Sequence, residues 1–381
     1  FVSRKDILKA YFDHVIRNVK NQFKCEVKEV HISCPVKQKS QFRKLFAEIL
    51  PEYFIEGQDM IDEGVSVLYN TISEMIQKDA LENGEEYRAL IIDCGGGTTD
   101  LCACRFRVWD KRVSYRIEID TSYENGDTDF GGNNLTFRIM QFLKVAIVNR
   151  LYPGILEPEQ DILSAYDIDV FRYVDRYGVG KIYEGLEENY RRAEQYLPTC
   201  FRRFENQSRI DYYKVKNNFY FLFQLAETVK KQFYRRTGIL SIALSSEEID
   251  EGATTWILAD KWKLSAKKGD ILEIMKEFPT VYLSIYEMEL LLKADIYGII
   301  HKFMEKMYEE NVLEEYSIIK LTGQSCKIDI FRDAIKEYVP GKTIQFKRQS
   351  GGSAQDADLK MTCVDGALRY LRDKRYGYAD V

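Results

Sequence analysis

One run constrains this chain more than any other: Ala89-Leu90-Ile91-Ile92-Asp93-Cys94-Gly95-Gly96-Gly97-Thr98-Thr99-Asp100, in which aliphatic residues end in an acid and three glycines. A short apolar run closed by glycines reads as a buried strand that feeds a loop. Without a Cβ, Gly95, Gly96 and Gly97 let backbone N–H groups close on an anion. Thr98 and Thr99 add hydroxyl donors, and Asp93 and Asp100 can hold a metal through water. An acid followed by glycines also suits an ordinary hairpin turn, so the string alone supports both readings. A second acid-and-glycine loop, Asn125 to Asn134, opens the helical run LTFRIMQFLKVAIV. Gly131 and Gly132 there stand at a helix N-terminus, a second potential phosphate site. A third loop, Thr322-Gly323-Gln324-Ser325-Cys326-Lys327, follows the strand Ser317 to Leu321 and leads into IDIFRDAIKEYV.

At 381 residues the chain has room for two or three domains. A net charge of −5 with both signs dispersed argues against a dedicated nucleic-acid binder. The eight cysteines form no paired CxxC framework, a pattern of reducing compartments. No apolar run reaches the roughly 18 residues a membrane span needs, and no signal-peptide pattern opens the chain. A cytoplasmic location with no membrane partner is the expectation. The first residue, Phe1, is not a Met, so the chain reads as a fragment whose start lies upstream.

Helical spacing puts Ile7, Leu8, Tyr11, Val15 and Val19 on one face over residues 3–20, with Ser3 as N-cap. Val27 to Ser33 alternates as a strand, KQKSQFRKLFAEIL follows as a helix, and Tyr53 to Ile55 is a short strand. A further helix is expected from Gln58 to about Lys78, with Asp59, Asp62 and Glu63 as ordinary acids at its positive end. LCACRFRVWD and KRVSYRIEID predict a hairpin around Asp110-Lys111. Cys102 and Cys104 share one face of its first strand. With no His or second pair nearby they read as small packed hydrophobes rather than metal ligands. Residues 151–217, interrupted by Pro153, Pro158 and Pro198 and crowded with Tyr and Arg, read as a solvated helical elaboration rather than a nucleic-acid patch. Helices are expected at about 219–234, 285–310 and 354–374, the last after Gly351-Gly352-Ser353.

Taken in order, these motifs resemble the nucleotide-binding domain of the seventy-kilodalton heat-shock chaperones and, more distantly, actin. IIDCGGGTTD looks like that family's second phosphate motif, GDTDFGGNN like the segment beyond its hairpin, and VHISCPVKQKSQFRKLFAEI like its strand, proline turn and helix. QDMIDEGVSVLY resembles its acid-bearing helix start, with Glu63 as the acid. LAETVKKQF resembles the adenosine-contacting helix and LTGQSCKIDIF the adenosine loop, while VDGALRY is similar to the helix closing the second lobe. Gly64 stands where the family has proline, Gln324 replaces a glycine, and Lys327 replaces an arginine that stacks on adenine. The family's first phosphate loop would precede Phe1 and its peptide-binding domain would follow Val381.

The resemblance implies an α/β class and, within it, the actin-like ATPase (ribonuclease H-like) two-lobed fold with an enlarged helical outer subdomain. Residues 1–85 would be the remaining part of lobe I, 86–135 with 315–381 the base of lobe II, and 136–314 its outer subdomain. It further implies ATP or ADP with Mg²⁺. Gly95, Gly96, Gly97 and Thr98 would hold the phosphates, Asp93 would order the metal's water shell, and Glu63 would place the attacking water. Gly131 and Gly132, with Glu227, Lys230, Gly323, Ser325 and Lys327 on the nucleoside side, complete the implied nucleotide contacts. The expected function is an ATP-binding, chaperone-like ATPase domain that signals to a protein partner or client. Hydrolysis is expected only if the upstream loop exists, and this chain alone would be inactive. Two alternatives stand beside it: a non-catalytic scaffold that keeps the fold for interaction, and a filament-forming actin-like protein.

Overall fold

A computed structural model describes residues 3–55, 60–235, 238–247, 255–259, 264–345 and 355–381. Asp59, the helix start at Gln58 and the Gly351-Gly352-Ser353 connection lie outside them. The chain is a mixed α/β protein with mixed sheets. It divides into two compact units. The first comprises 1–129, 310–326 and 341–381, and the second 130–309 and 327–340.

The first unit is built on a six-stranded sheet. Its central strand, Glu86–Cys94, carries Ala89 to Ile92 with no exposure at all. A strand buried on both faces needs such an unbroken aliphatic run. Ile318–Thr322 lies parallel to it on one side, with Ile318 opposite Ala89 and Thr322 opposite Asp93. On its other side the hairpin Thr99–Asp110 and Tyr115–Asp127 runs antiparallel, bringing Asp100 opposite Asp93. Ile344–Gln345 and Ala379–Asp380 form the edges.

Helices Glu63–Gln77 and Gln355–Arg375 share one face of this sheet, where Val65, Leu68, Tyr69, Ile72 and Tyr370 pack on Ala89, Ile91, Cys102, Cys104 and Phe106. The first of these helices starts at Glu63 because Asp62 is its N-cap, its carboxylate accepting from Val65 N at 2.7 Å. A satellite cluster of Ile16, Phe46, Ile49 and Leu50 joins Arg4–Phe23 to Lys39–Ile49. Ser3 caps the opening helix in a full capping box with Asp6. Its apolar face does not point inward, however: Ile7 and Tyr11 are 59% and 61% exposed, and Phe12 and Ile16 make the contact instead. Four-residue spacing marks a coherent face without saying what covers it.

The second unit is mainly helical. Its long helices are Gly132–Leu151, Arg209–Arg235 and Ile285–Glu309, with a three-stranded sheet of Val281–Ser284, Ser241–Ser245 and Thr255–Leu258. Met288, Leu291, Leu292, Ile296, Ile299, Ile300, Phe303 and Met307 are all buried, as their spacing predicts. The helix expected from about 219 begins ten residues earlier, at Arg209, so Tyr212 and Tyr213 ride on it. Arg191, Arg192, Arg202, Arg203 and Arg209 are exposed.

Asn218 ties this unit together. Fully buried, it donates to Pro198 O at 2.9 Å and Ser265 O at 2.8 Å and accepts from Ser265 N at 2.8 Å. Asn218→Ala strands three main-chain groups, each costing about 1–3 kcal/mol if buried without a partner. A loss of about 3 kcal/mol or more is expected in urea unfolding, and a wild-type midpoint would show that these bonds carry nothing net.

Candidate functional site

The strands Glu86–Cys94 and Ile318–Thr322 run parallel and end side by side, the place where open α/β sheets bind ligands. Three carboxylates meet there. Asp93 is next to last on the central strand, Asp100 is its cross-strand partner, and Glu63 opens the covering helix. Main-chain bonding fixes Glu63, whose N–H donates to Cys34 O at 3.2 Å. Among the described residues, no lysine or arginine pairs with Asp93 or Glu63.

The electrostatics follow from that crowding. Burial, then the charges of Glu63 and Asp100, pushes the Asp93 carboxyl up to about 7. Glu63 is raised as well, by burial first and then by Asp100 and Asp62. Like charges held close together are a cost that a divalent ion would offset.

Loop geometry sharpens the reading of the glycines. Gly95 N–H closes a turn on Thr98 O at 3.0 Å. None of Gly95, Gly96 and Gly97 has a left-handed φ, so their conformation does not demand glycine, against the sequence expectation. A Cβ at Gly96 or Gly97 would meet nothing. What the missing side chains leave is open space above the strand ends. Thr98 is partly exposed beside that space, while Thr99 is buried and donates to Cys94 Sγ at 3.1 Å.

Gly323 is the glycine the fold requires. Its φ is +86°, and a Cβ would stand 2.3 Å from Cys94 O and 2.5 Å from Asp93 Oδ1. The third loop is therefore seated directly on Asp93. Ser325 joins it, its hydroxyl donating to Gly95 O at 3.0 Å. Glu63, Asp93, Gly95, Gly96, Gly97, Thr98, Gly323 and Ser325 thus gather around one strand end of the first unit.

The remaining candidates belong to the second unit. Gly131 precedes the helix Gly132–Leu151, and its N–H is already taken by Asn134 Oδ1 at 2.9 Å. Lys230 Nζ donates to Gly132 O at 2.8 Å and Thr136 Oγ1 at 2.6 Å and pairs with Glu227 at 2.7 Å. Burial works to raise the Glu227 carboxyl, but hydrogen bonds from Lys230 and Thr136 hold it below the usual range. The structure therefore brings Gly132, Glu227 and Lys230 together, with their polar groups turned on one another. Lys327 closes the 3-10 turn Gln324–Lys327.

Thr136 escaped sequence reading, although its place one helical turn after Gly132 was the available signal. Asp100 was visible as a metal holder in the string, and the hairpin register is what sets it against Asp93. No family model matches the chain, and no curated protein matches it either.

Proposed function

We propose that this chain is an ATP-binding, chaperone-like domain of the actin-like ATPase (ribonuclease H-like) fold, with Mg²⁺ as the ion its carboxylates take. The observation that carries this reading is the convergence of Glu63, Asp93 and Asp100 beside an open glycine loop at the carboxyl ends of two parallel strands. Hard oxygen ligands with room for waters suit Mg²⁺, which keeps part of its hydration and bridges to substrate phosphates. Gly96 and Gly97 leave space for the phosphates, and the Thr98 hydroxyl stands beside it. In such a site Asp93 would hold the metal's waters, and Glu63 would orient a water for attack on a phosphoryl group. The nucleoside contacts of Glu227, Lys230 and Lys327 rest on the family resemblance alone.

A second reading, a scaffold that binds nucleotide without turning it over, is favoured by one observation. Lys230 and Glu227 already satisfy each other and the helix start.

Calorimetric titration with ATP and Mg²⁺ tests the first reading. Mg²⁺-dependent binding is expected, weakened about tenfold or more in Asp93→Asn, a change of roughly 1.4 kcal/mol or more. Absence of binding by the unaltered protein would overturn the proposal, and hydrolysis that disappears in Asp93→Asn would exclude the scaffold.

A further inference from the structure

A different donor set lies one pleat further along the hairpin. The ligand atoms of Asp62, Cys102 and Glu124 all lie within 4.8 Å of one another. They come from three segments. Asp62 is the N-cap of the covering helix, and Cys102 and Glu124 are cross-strand partners in the hairpin. Asp62 and Cys102 are 2% and 1% exposed. Cys104 Sγ stands 3.3 Å from Cys102 Sγ as its hydrogen-bond neighbour, outside the group of three ligand atoms. A register irregularity at Ala103/Cys104 sits beside the pair, a device that re-aims side chains next to sites.

The place already holds a positive charge. Lys39 Nζ lies 3.0 Å from Asp62 Oδ2 and 3.5 Å from Glu124 Oε1, on a half-exposed and flexible stem. Even so the Glu124 carboxyl is raised, by burial first and by Asp62 next. One ammonium does not balance the cluster. A cavity of about 430 Å³ lined by Lys39, Asp62, Thr121 and Glu124 opens onto the two carboxylates.

We propose that Asp62, Cys102 and Glu124 form a three-ligand binding site for a borderline divalent cation of zinc's kind, with water as the fourth donor. Two oxygens and one sulfur disfavour the hard ions, which take oxygen, and match the mixed ligand sets of zinc. Binding displaces the Lys39 ammonium and releases the Cys102 thiol proton to solvent, since only the thiolate ligates. This site shares no ligand with the Asp93 cluster and stands whether or not the chain binds nucleotide.

Cobalt(II) reads the site directly, because a bound thiolate gives a charge-transfer absorption that oxygen ligands do not. Titration of the reduced protein, with the exposed Cys25 and Cys200 replaced by Ser, is expected to give that band, and Zn²⁺ to bleach it. Glu124→Gln, on a partly exposed side chain, weakens uptake about tenfold. Lys39→Met strengthens uptake by removing the competing charge, and Asp93→Asn leaves the band unchanged. Cys102→Ser abolishes it. Absence of the band, its survival in Cys102→Ser, or uptake indifferent to both Glu124→Gln and Lys39→Met overturns the proposal.

Discussion

Gly366→Ala is expected to destabilise the first unit by about 2–3 kcal/mol or more, although helix propensity alone argues the reverse. In an open helix this change stabilises by about 1 kcal/mol, because alanine loses less backbone entropy. Here Gly366 lies in the helix Gln355–Arg375, where that helix meets Glu63–Gln77. A Cβ would fall 1.7 Å from Ser66 O, 2.6 Å from Ser66 C and 3.3 Å from Asn70 N. All three atoms are backbone, so no rotamer change relieves the contact and the helices must separate. Separation strips packing from Leu68, Tyr69, Ile72 and Tyr370 and strains the bond from Tyr69 OH to Asp373 at 2.8 Å. Overpacking a dense core costs about 1–3 kcal/mol and occasionally more, which outweighs the propensity gain. Urea unfolding gives the comparison, with Gly341→Ala as control because a Cβ there meets nothing. Equal midpoints for the two variants would refute the close crossing. Because the displaced helix carries Asp62 and Glu63 at its start, Gly366→Ala should also weaken Mg²⁺ binding.

The parts of this fold that were legible in the sequence are those set by local patterning. Ala89 to Cys94 announces a strand because an unbroken aliphatic run has one comfortable place, inside a sheet. The hairpin alternation and the inward residues of Ile285–Glu309 are likewise repeated signals. Where a single position decides, patterning failed. Arg209 starts its helix at a cap that apolar periodicity does not show: the Ser208 hydroxyl accepts from Asp211 N at 3.3 Å, and Phe201 packs on Tyr212, Phe219 and Tyr220 along the helix. The opening helix showed its apolar face but not its burial, since Ile16 and Phe12 find partners some thirty residues on, in Phe46 and Ile49.

The candidate sites divide in the same way. IIDCGGGTTD is contiguous and could be read as a unit. Asp62 and Glu124 are separated by two strands and a helix, and only the hairpin register and the N-cap bring them to Cys102. Cys102 and Cys104 do pack in the core as strand alternation predicts. The carboxylates beside Cys102 are the information that alternation does not carry.

Asp93→Asn is expected to raise the stability of the metal-free protein at pH 8 while it abolishes stabilisation by Mg²⁺. The Asp93 carboxyl is raised from 3.8 to about 7 by burial and by Glu63 and Asp100. Between those values the unfolded chain has ionised and the folded chain still holds its proton. Folding stability therefore falls as pH rises from about 4 to 7 and stays low above it. A shift of this size corresponds to a ceiling of about 4 kcal/mol, brought down to about 2 by solvent reaching the partly exposed carboxyl. Asparagine keeps the shape and has nothing to ionise, so the variant should match the unaltered protein near pH 4 and exceed it at pH 8. Magnesium reverses the order. A cation bound only by the folded state adds RT ln(1 + [L]/Kd), about 2.7 kcal/mol at a hundredfold excess over Kd, and Asp93→Asn loses that gain. Thermal unfolding at both pH values, with and without Mg²⁺, reads both effects. A variant less stable than the unaltered protein at pH 8 without Mg²⁺ would mean that Asp93 is held by favourable contacts. The carboxylate cluster would then be part of the fold's own support and not a cation site.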